Sequence, residues 1–391
     1  MRTKILVTRS SMPKFEEYVE MIRPLWETRW LTNMGDYHNQ LEANLKEYLD
    51  VPWLSLTVNG HMALELAIQA MDFPEGAEII TTPFTFISTT HAIVRNRLKP
   101  VFCDIKLSDY TIDEDKIEKC ITEKTVAVLP VHVYGNICNV EKIREIAERY
   151  HLKVIYDAAH AFGESVQGMG IGNFGDASIF SFHATKVFHT VEGGAAAFHE
   201  EGLYKKFCNL KNFGIQSEEN IDEIGTNAKM NEFCAAMGLC NLKYVDEVIR
   251  QRGELVNYYM VRLGKIAGVR FCEYDIEKIK YAYPYFPILL KPDICGQGIR
   301  DKIYYKLKEQ NIYSRKYFYP ITADAACFHN EYQKYVLENA IYAGENILAL
   351  PLYPELRYAN IDMITEIIQD TIHLKNEEKM NEKSDFTYWN I

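Results

Sequence analysis

The chain has 391 residues, 48% of them hydrophobic and 25% charged, enough to bury a large core and more than one minimal domain holds. Its formal net charge of -11 and pI of about 5.6 exclude the basic stripe that tracks a phosphate backbone, so no nucleic-acid partner is expected. Nine cysteines at irregular spacings, with no C-x-x-C pair, argue against a disulfide framework and a zinc ribbon; no metal centre is expected, and a reducing cytoplasm fits best.

The opening residues turn acidic at FEEY before any apolar run reaches signal-peptide length, and no later run reaches the length of a membrane span. A soluble, cytoplasmic protein without a membrane partner is expected. Between about Asn59 and Phe198, the short apolar runs EIITTP, PVFCDI, VAVLPVHVYG, LKVIYD, ASIFSF and AAAFHE alternate with helical patterns. Continuous apolar strands between helices predict an α/β fold with a mostly parallel sheet covered on both faces. VEKIREIAERY, from Val140 to Tyr150, spaces its apolar residues at helical intervals, and the strand after it completes a βαβ unit that delivers Asp157 to a strand's C-terminal end. After Leu210 the pattern becomes helix-rich, and from about Tyr281 the run YAYPYFPILL precedes a helix around IRDKIYYKLKEQ. The expected division is a large domain with its N-terminal segment over 1–250, a smaller α+β domain over 251–375, and a flexible tail over 376–391. That tail, within KNEEKMNEKSDFTYWNI, opens on charges and has no clear apolar period.

The candidate site residues follow in the same order. Asn59 and Gly60, in TVNGHMALELAIQA, lead directly into a helix whose free N–H groups and dipole favour an anion; alone, they mark only a helix start. Phe86, in TTPFTFISTT, is either an aromatic that stacks on a planar ligand or a core residue. Asp157, in YDAAHAFG, closes a buried strand, where a carboxylate needs a compensating cation or donor. SFHATKVFHTVEGG runs from a strand into a loop holding Ser181, His183 and Lys186 before two glycines. The lysine points either to solvent or into a site, and Ser181 either joins an anion site or is an ordinary loop residue. A lysine amine, a carboxylate to keep a pyridine nitrogen protonated, and an anion site for a phosphate are together what pyridoxal-phosphate chemistry needs. No G-x-G-x-x-G follows the first strand to support a dinucleotide site.

The order of NG-x-x-ALELA, PFTFISTTHAI, PVFCDI, PVHVYG, YDAAHAFG, GDASIFSFHATK and EGGAAAF resembles the DegT/StrS family of sugar aminotransferases over nearly the whole chain. WETRWLTNMGDYHNQLEANLKEYLDV is similar to the family's N-terminal segment, and ENILALPLYPEL to its closing helix and loop. The resemblance implies the type I pyridoxal-phosphate fold and a homodimer with shared active sites. By position it implies Lys186 as the Schiff-base lysine and general base, Asp157 as the partner of the pyridine nitrogen, and His160 beside the cofactor's phenolic oxygen. Ser181, Gly60 and His61 align with the phosphate cradle, although His61 stands where the family usually has Thr or Ser, so there its backbone N–H is the surer ligand. Asn227, in GTNAKMNEF, resembles the asparagine that reaches the phosphate from the opposite subunit; as a lone polar residue it could equally cap the next helix. His183, ahead of His189, is the candidate to assist proton transfer or touch substrate.

FHATK resembles enzymes that aminate the 4-position of dTDP-4-keto-6-deoxyglucose, with glutamate as the family's usual amino donor. SRKYFYPI, with Arg315, Lys316, Tyr317 and Tyr319, is similar to the stretch that meets the nucleotide sugar, and its cations suit a diphosphate. The competing readings are another nucleotide keto sugar (3-keto, or UDP- or GDP-linked), a sugar dehydratase of the same fold, a cofactor-binding regulator, and an unrelated α/β enzyme using Lys186 for a phosphate. The dehydratase replaces the lysine with histidine, which Lys186 contradicts.

Overall fold

The computed structural model describes residues 4–328, 331–332 and 335–387. Seven strands form the central sheet: β1 (Trp53–Thr57), β2 (Glu78–Thr81), β3 (Lys99–Phe102), β4 (Thr125–Leu129), β5 (Lys153–Asp157), β6 (Ala177–Ser181) and β7 (Gly194–Phe198). Their spatial order is β1-β7-β6-β5-β4-β2-β3. The run from β3 to β6 is parallel, and β7 is antiparallel to both of its neighbours. The fold is α/β, and six of these strands are the expected apolar runs. The seventh, β1, was not among them; it is the edge strand and pairs with β7 through Trp53–Phe198 to Thr57–Gly194.

Alternation within the apolar strands shows why both faces are covered. Ile79, Leu129 and Ile155 pack on one side with α1 (Gly60–Ala70) and with Ile93 of α2 (Ile87–Arg95). Ile80, Val128 and Val154 pack on the other side with Ile143 and Ile146 of α3 (Val140–Tyr150). Because successive side chains of a strand point to opposite faces, a strand buried on both sides reads as an unbroken apolar run. α3 spans the predicted residues, is capped by Asn139, and stops where His151 turns left-handed at φ 55°.

A second, antiparallel sheet of β8 (Val269–Phe271), β9 (Phe286–Leu290) and β10 (Ile347–Leu350) has its own core. Leu255, Val256 and Tyr259 of α4 (Val245–Leu263), Ile303 of α5 (Ile299–Glu309) and Ile361, Ile364 and Ile368 of α6 (Tyr358–Thr387) fill it. α4 crosses the expected boundary at 250/251 as one helix, giving Val248 and Ile249 to the core beside the large sheet and its later residues to the second core. Ile5 also joins the second core, through a parallel bridge to Ile312. Within the expected tail, α6 continues over 376–387 to Thr387, where Lys, Glu and Met are good helix formers that extend an anchored helix. Residues 388–391 of that tail lie outside the described residues. Among the described residues, no helix is long and apolar enough to cross a membrane.

Candidate active site

A cavity of about 440 Å³ opens where β4, β5 and β6 end, and Gly60, His61, Phe86, Asp157, His160, Ser181, His183, Lys186 and Tyr317 all line it. Crevices beyond the carboxyl ends of parallel strands are where open α/β sheets hold ligands, because loops from several strands converge there. A larger groove of about 820 Å³ runs beside α3, but its Lys153 is paired with Asp176 at 2.6 Å.

The anion end of the cavity is the start of α1. Asn59 Oδ1 accepts the Met62 N–H at 2.8 Å, and the Asn59 carbonyl accepts the Ala63 N–H at 3.2 Å. The Gly60 and His61 amides precede any intrahelical acceptor, and both residues line the cavity with Ser181. The close approach depends on two glycines: a Cβ on Gly60 would sit 2.8 Å from Ser181 Cβ, and one on Gly194 would sit 2.6 Å from the Gly60 nitrogen. Together they leave a concave rim of donors at a helix N-terminus, the arrangement that suits a phosphate.

At the other end, Asp157 is buried at the tip of β5. Its Oδ2 accepts the Thr89 hydroxyl at 2.8 Å and its Oδ1 the Ala159 N–H at 3.1 Å. Each oxygen keeps a lone pair for a further donor. Burial raises the carboxyl pKa, while those two bonds and the charge of Lys186 pull it back. Lys186 is half-buried and lines the cavity. Burial lowers its amine to about 8, with the Asp157 carboxylate opposing; its Nζ lies 5.7 Å from the centre of the Tyr285 ring. An amine in that range is unprotonated in a useful fraction near neutral pH, as a nucleophile or base requires.

His160 Nδ1 accepts the Tyr134 N–H at 3.1 Å, so a neutral ring carries its proton on Nε2. Burial, with the charge of Lys186 adding, holds its pKa well below the ordinary value, which makes the ring a neutral donor. Tyr285 meets it edge-on at 5.0 Å and Phe318 lies parallel at 6.0 Å, fixing its plane. Phe86 is not core: it is 59% exposed on the cavity wall.

The remaining expected residues divide. His183 sits at the rim, bonded through Nδ1 to the Thr185 hydroxyl at 2.9 Å, with Nε2 3.6 Å from Glu192. His189 lies outside the cavity, its Nε2 meeting the Ser11 carbonyl at 2.5 Å and its Nδ1 accepting the Val191 N–H at 3.2 Å. Of SRKYFYPI, Tyr317 and Phe318 reach the wall. Lys316 is held by Asp301 at 2.8 Å and by the Tyr304 ring at 4.7 Å; Tyr319 lies under Arg300 at 4.9 Å; and Arg315 is exposed while its backbone pairs with Ala349. Asn227 is away from this cavity, in an antiparallel bridge with Asn212. Sequence reasoning missed Thr89, Ser88, Glu192 and Tyr285. For Thr89 the one available signal was the Thr85/Thr89 pair, four apart at the start of α2, whose hydroxyls lie 3.0 Å apart.

Residues 14–369 match the DegT/DnrJ/EryC1/StrS aminotransferase family. A dTDP-4-amino-4,6-dideoxy-D-glucose transaminase of Shigella dysenteriae is 40% identical over 370 residues, covering 95% of this chain and 100% of the relative. A protein of the same name from Escherichia coli is 38% identical over 93% of this chain and 98% of its own. Among solved structures, DesI in the presence of its TDP-sugar product superposes with a TM-score of 0.90 at 28% identity, covering 98% of this chain and 96% of that one. NtdA from Bacillus subtilis with bound cofactor PMP gives 0.83 at 28% identity, over 92% of this chain and 82% of its own.

Proposed function

Since this chain belongs to the DegT/DnrJ/EryC1/StrS aminotransferase family, and is thus a pyridoxal-phosphate-dependent nucleotide-sugar aminotransferase of type I fold, we propose that Lys186 and Asp157 are its working residues. The reaction we propose carries the amino group of L-glutamate to C4 of dTDP-4-keto-6-deoxy-D-glucose, giving dTDP-4-amino-4,6-dideoxy-D-glucose. The observation that carries this reading is the convergence, in one cavity, of a lysine amine at about 8, a buried carboxylate with lone pairs to spare, and a two-amide helix start.

These residues fit the cofactor by their donor chemistry. The amides of Gly60 and His61 and the hydroxyl of Ser181 would hold its phosphate, Asp157 would accept from its ring nitrogen, His160 Nε2 would donate to its phenolic oxygen, and Phe86 would cover its ring. When bound, pyridoxal phosphate supplies an aldehyde that exchanges amines and a ring that accepts electron density. The protein's part is then proton handling: Nζ of Lys186 takes a proton from the substrate carbon and returns it, and Asp157 stays ionised so that its ring partner stays cationic. His183 and Tyr317, at the rim, meet the sugar, and the exposed Arg315, which makes no ion pair among the described residues, is available to a diphosphate or a donor carboxylate; Lys316 is occupied by Asp301 and Tyr319 by Arg300.

We also infer a homodimer with shared sites. Asn227 follows a hairpin of Ile215–Ser217 and Asn220–Ile221, and Ile221 and Ile224 beside it are 66% and 90% exposed, an apolar surface that asks for a partner. In that arrangement Asn227 serves the other subunit's phosphate site.

The substrate assignment is tested by adding L-glutamate to the cofactor-loaded protein and then the keto sugar, following the cofactor's visible absorbance. Loss of the band with glutamate and its return with dTDP-4-keto-6-deoxyglucose is the expected result. Return only with a 3-keto or a UDP- or GDP-linked sugar would reassign the substrate.

A further inference from the structure

The cradle holds an arrangement that the proposed roles leave unused. His61 Nδ1 lies 2.8 Å from the Ser88 hydroxyl, and His61 Nε2 lies 3.4 Å from Glu65 Oε2. Glu65 is in turn held by Arg95 Nε at 2.8 Å. Ser88, on the first turn of α2, and His61, on the first turn of α1, both line the cavity beside Gly60 and Ser181. The hydrogen bond from His61 lowers the Glu65 carboxyl pKa, with burial opposing and Arg95 adding, so Glu65 is a fixed anion behind the ring.

The donors can be counted in each protonation state. With a neutral ring, Nε2–H points to Glu65 and bare Nδ1 accepts the only proton of Ser88, which leaves Ser88 an acceptor toward the cavity. With a protonated ring, Nδ1–H donates to Ser88 Oγ, and the Ser88 O–H turns free to donate to an anion. The same change adds a positive charge at the anion end. Both effects favour a phosphate dianion only when His61 is charged.

Resting on the cofactor assignment above, we propose that Ser88–His61–Glu65 is a proton-coupled phosphate ligand: anchoring the cofactor's phosphate draws one proton from solvent onto His61, and Ser88 becomes a donor to it. The groups around His61 define its setting. Glu65 lies on its own helix; His91 and Arg95 face it from α2; Asp157, Lys186, His183 and Glu192 look across the cavity. The carboxylates Glu65, Asp157 and Glu192 favour a charged ring there, while the cations Arg95 and Lys186 oppose it. The added phosphate dianion tips that balance toward proton uptake.

Calorimetric titration of the full-length chain, freed of cofactor, with pyridoxamine phosphate reads the proton directly when repeated in buffers of different ionisation enthalpy. At about pH 7.5 the free ligand's phosphate is already a dianion, its second pKa being about 6. Wild type is expected to take up more protons on binding than His61→Gln or Ser88→Ala. Pyridoxamine, which lacks the phosphate, is expected to show no such difference. Equal uptake in wild type and both variants, or the same difference with pyridoxamine, would overturn the proposal. Failure of wild type to bind pyridoxamine phosphate at all would overturn the cofactor site itself, a result distinguishable from either.

Discussion

A Lys186→Ala chain folds as well as wild type and loses amino transfer by about 10⁴-fold or more, because one group is removed that both attaches the cofactor and moves the proton. Retained folding follows from the sign of the pKa shift. The folded amine titrates at about 8, below the ordinary 10.5. The charged form is thus penalised by folding: the unfolded chain binds more protons between those values, and stability from this group rises with pH across that window. Below pH 8 the penalty is present in full, on the order of 3 kcal/mol, and alanine removes it. The melting temperature of the variant at neutral pH should therefore equal or exceed that of wild type. Turnover near the wild-type rate would remove Lys186 from the chemistry, and a collapsed melting temperature would make its role structural. The same variant tests the shared site. Mixed and reassembled with an inactive Asn227→Ala chain, it should recover about a quarter of wild-type activity, since half of the dimers then hold one intact site of two. No recovery contradicts the contribution of Asn227 across the interface.

Asp157→Asn is expected to cost at least about 10²-fold in turnover with little change in stability. The amide keeps the shape, the Ala159 N–H still has an oxygen to meet, and the Thr89 hydroxyl can accept where it had donated. What disappears is the negative charge. The carboxylate opposes the burial that depresses the amine, so removing it moves the Lys186 pKa below about 8. The amine is then deprotonated at lower pH, and its labelling by a small acylating reagent follows a midpoint shifted to the acid side. Normal turnover, or an unmoved midpoint, contradicts the pairing.

The parts of this fold that were legible in the sequence share one physical origin. Strands buried on both faces carry few polar side chains, so β2 to β7 announce themselves as apolar runs, and Asp157 and Lys186 stand out because a charge is the wrong chemistry at or just past the ends of such strands. β1, at the sheet edge, gave no equal signal, and neither did Ile5, whose partner Ile312 is distant in the chain. The segment from Arg315 to Tyr319 shows the limit most clearly. Its two cations read alike, yet Lys316 is neutralised by Asp301, fifteen positions upstream and one turn into α5, a pairing that only the folded chain brings about. Tyr285 and Glu192 reach the cavity from a strand entry and a glycine turn, where neither periodicity nor composition marks a side chain that faces a ligand. His61 was legible as a departure from the usual residue; its pairing with Ser88 required α1 and α2 to be set side by side.

The central claim is that this cavity delivers nitrogen from glutamate to carbon 4 of the dTDP-linked keto sugar. Incubation with ¹⁵N-labelled L-glutamate and dTDP-4-keto-6-deoxyglucose, followed by NMR of the purified sugar nucleotide, reads that transfer atom by atom. The account predicts ¹⁵N bonded to C4 and an equal yield of 2-oxoglutarate. Label at another carbon, or a sugar nucleotide returned without ¹⁵N, would contradict it.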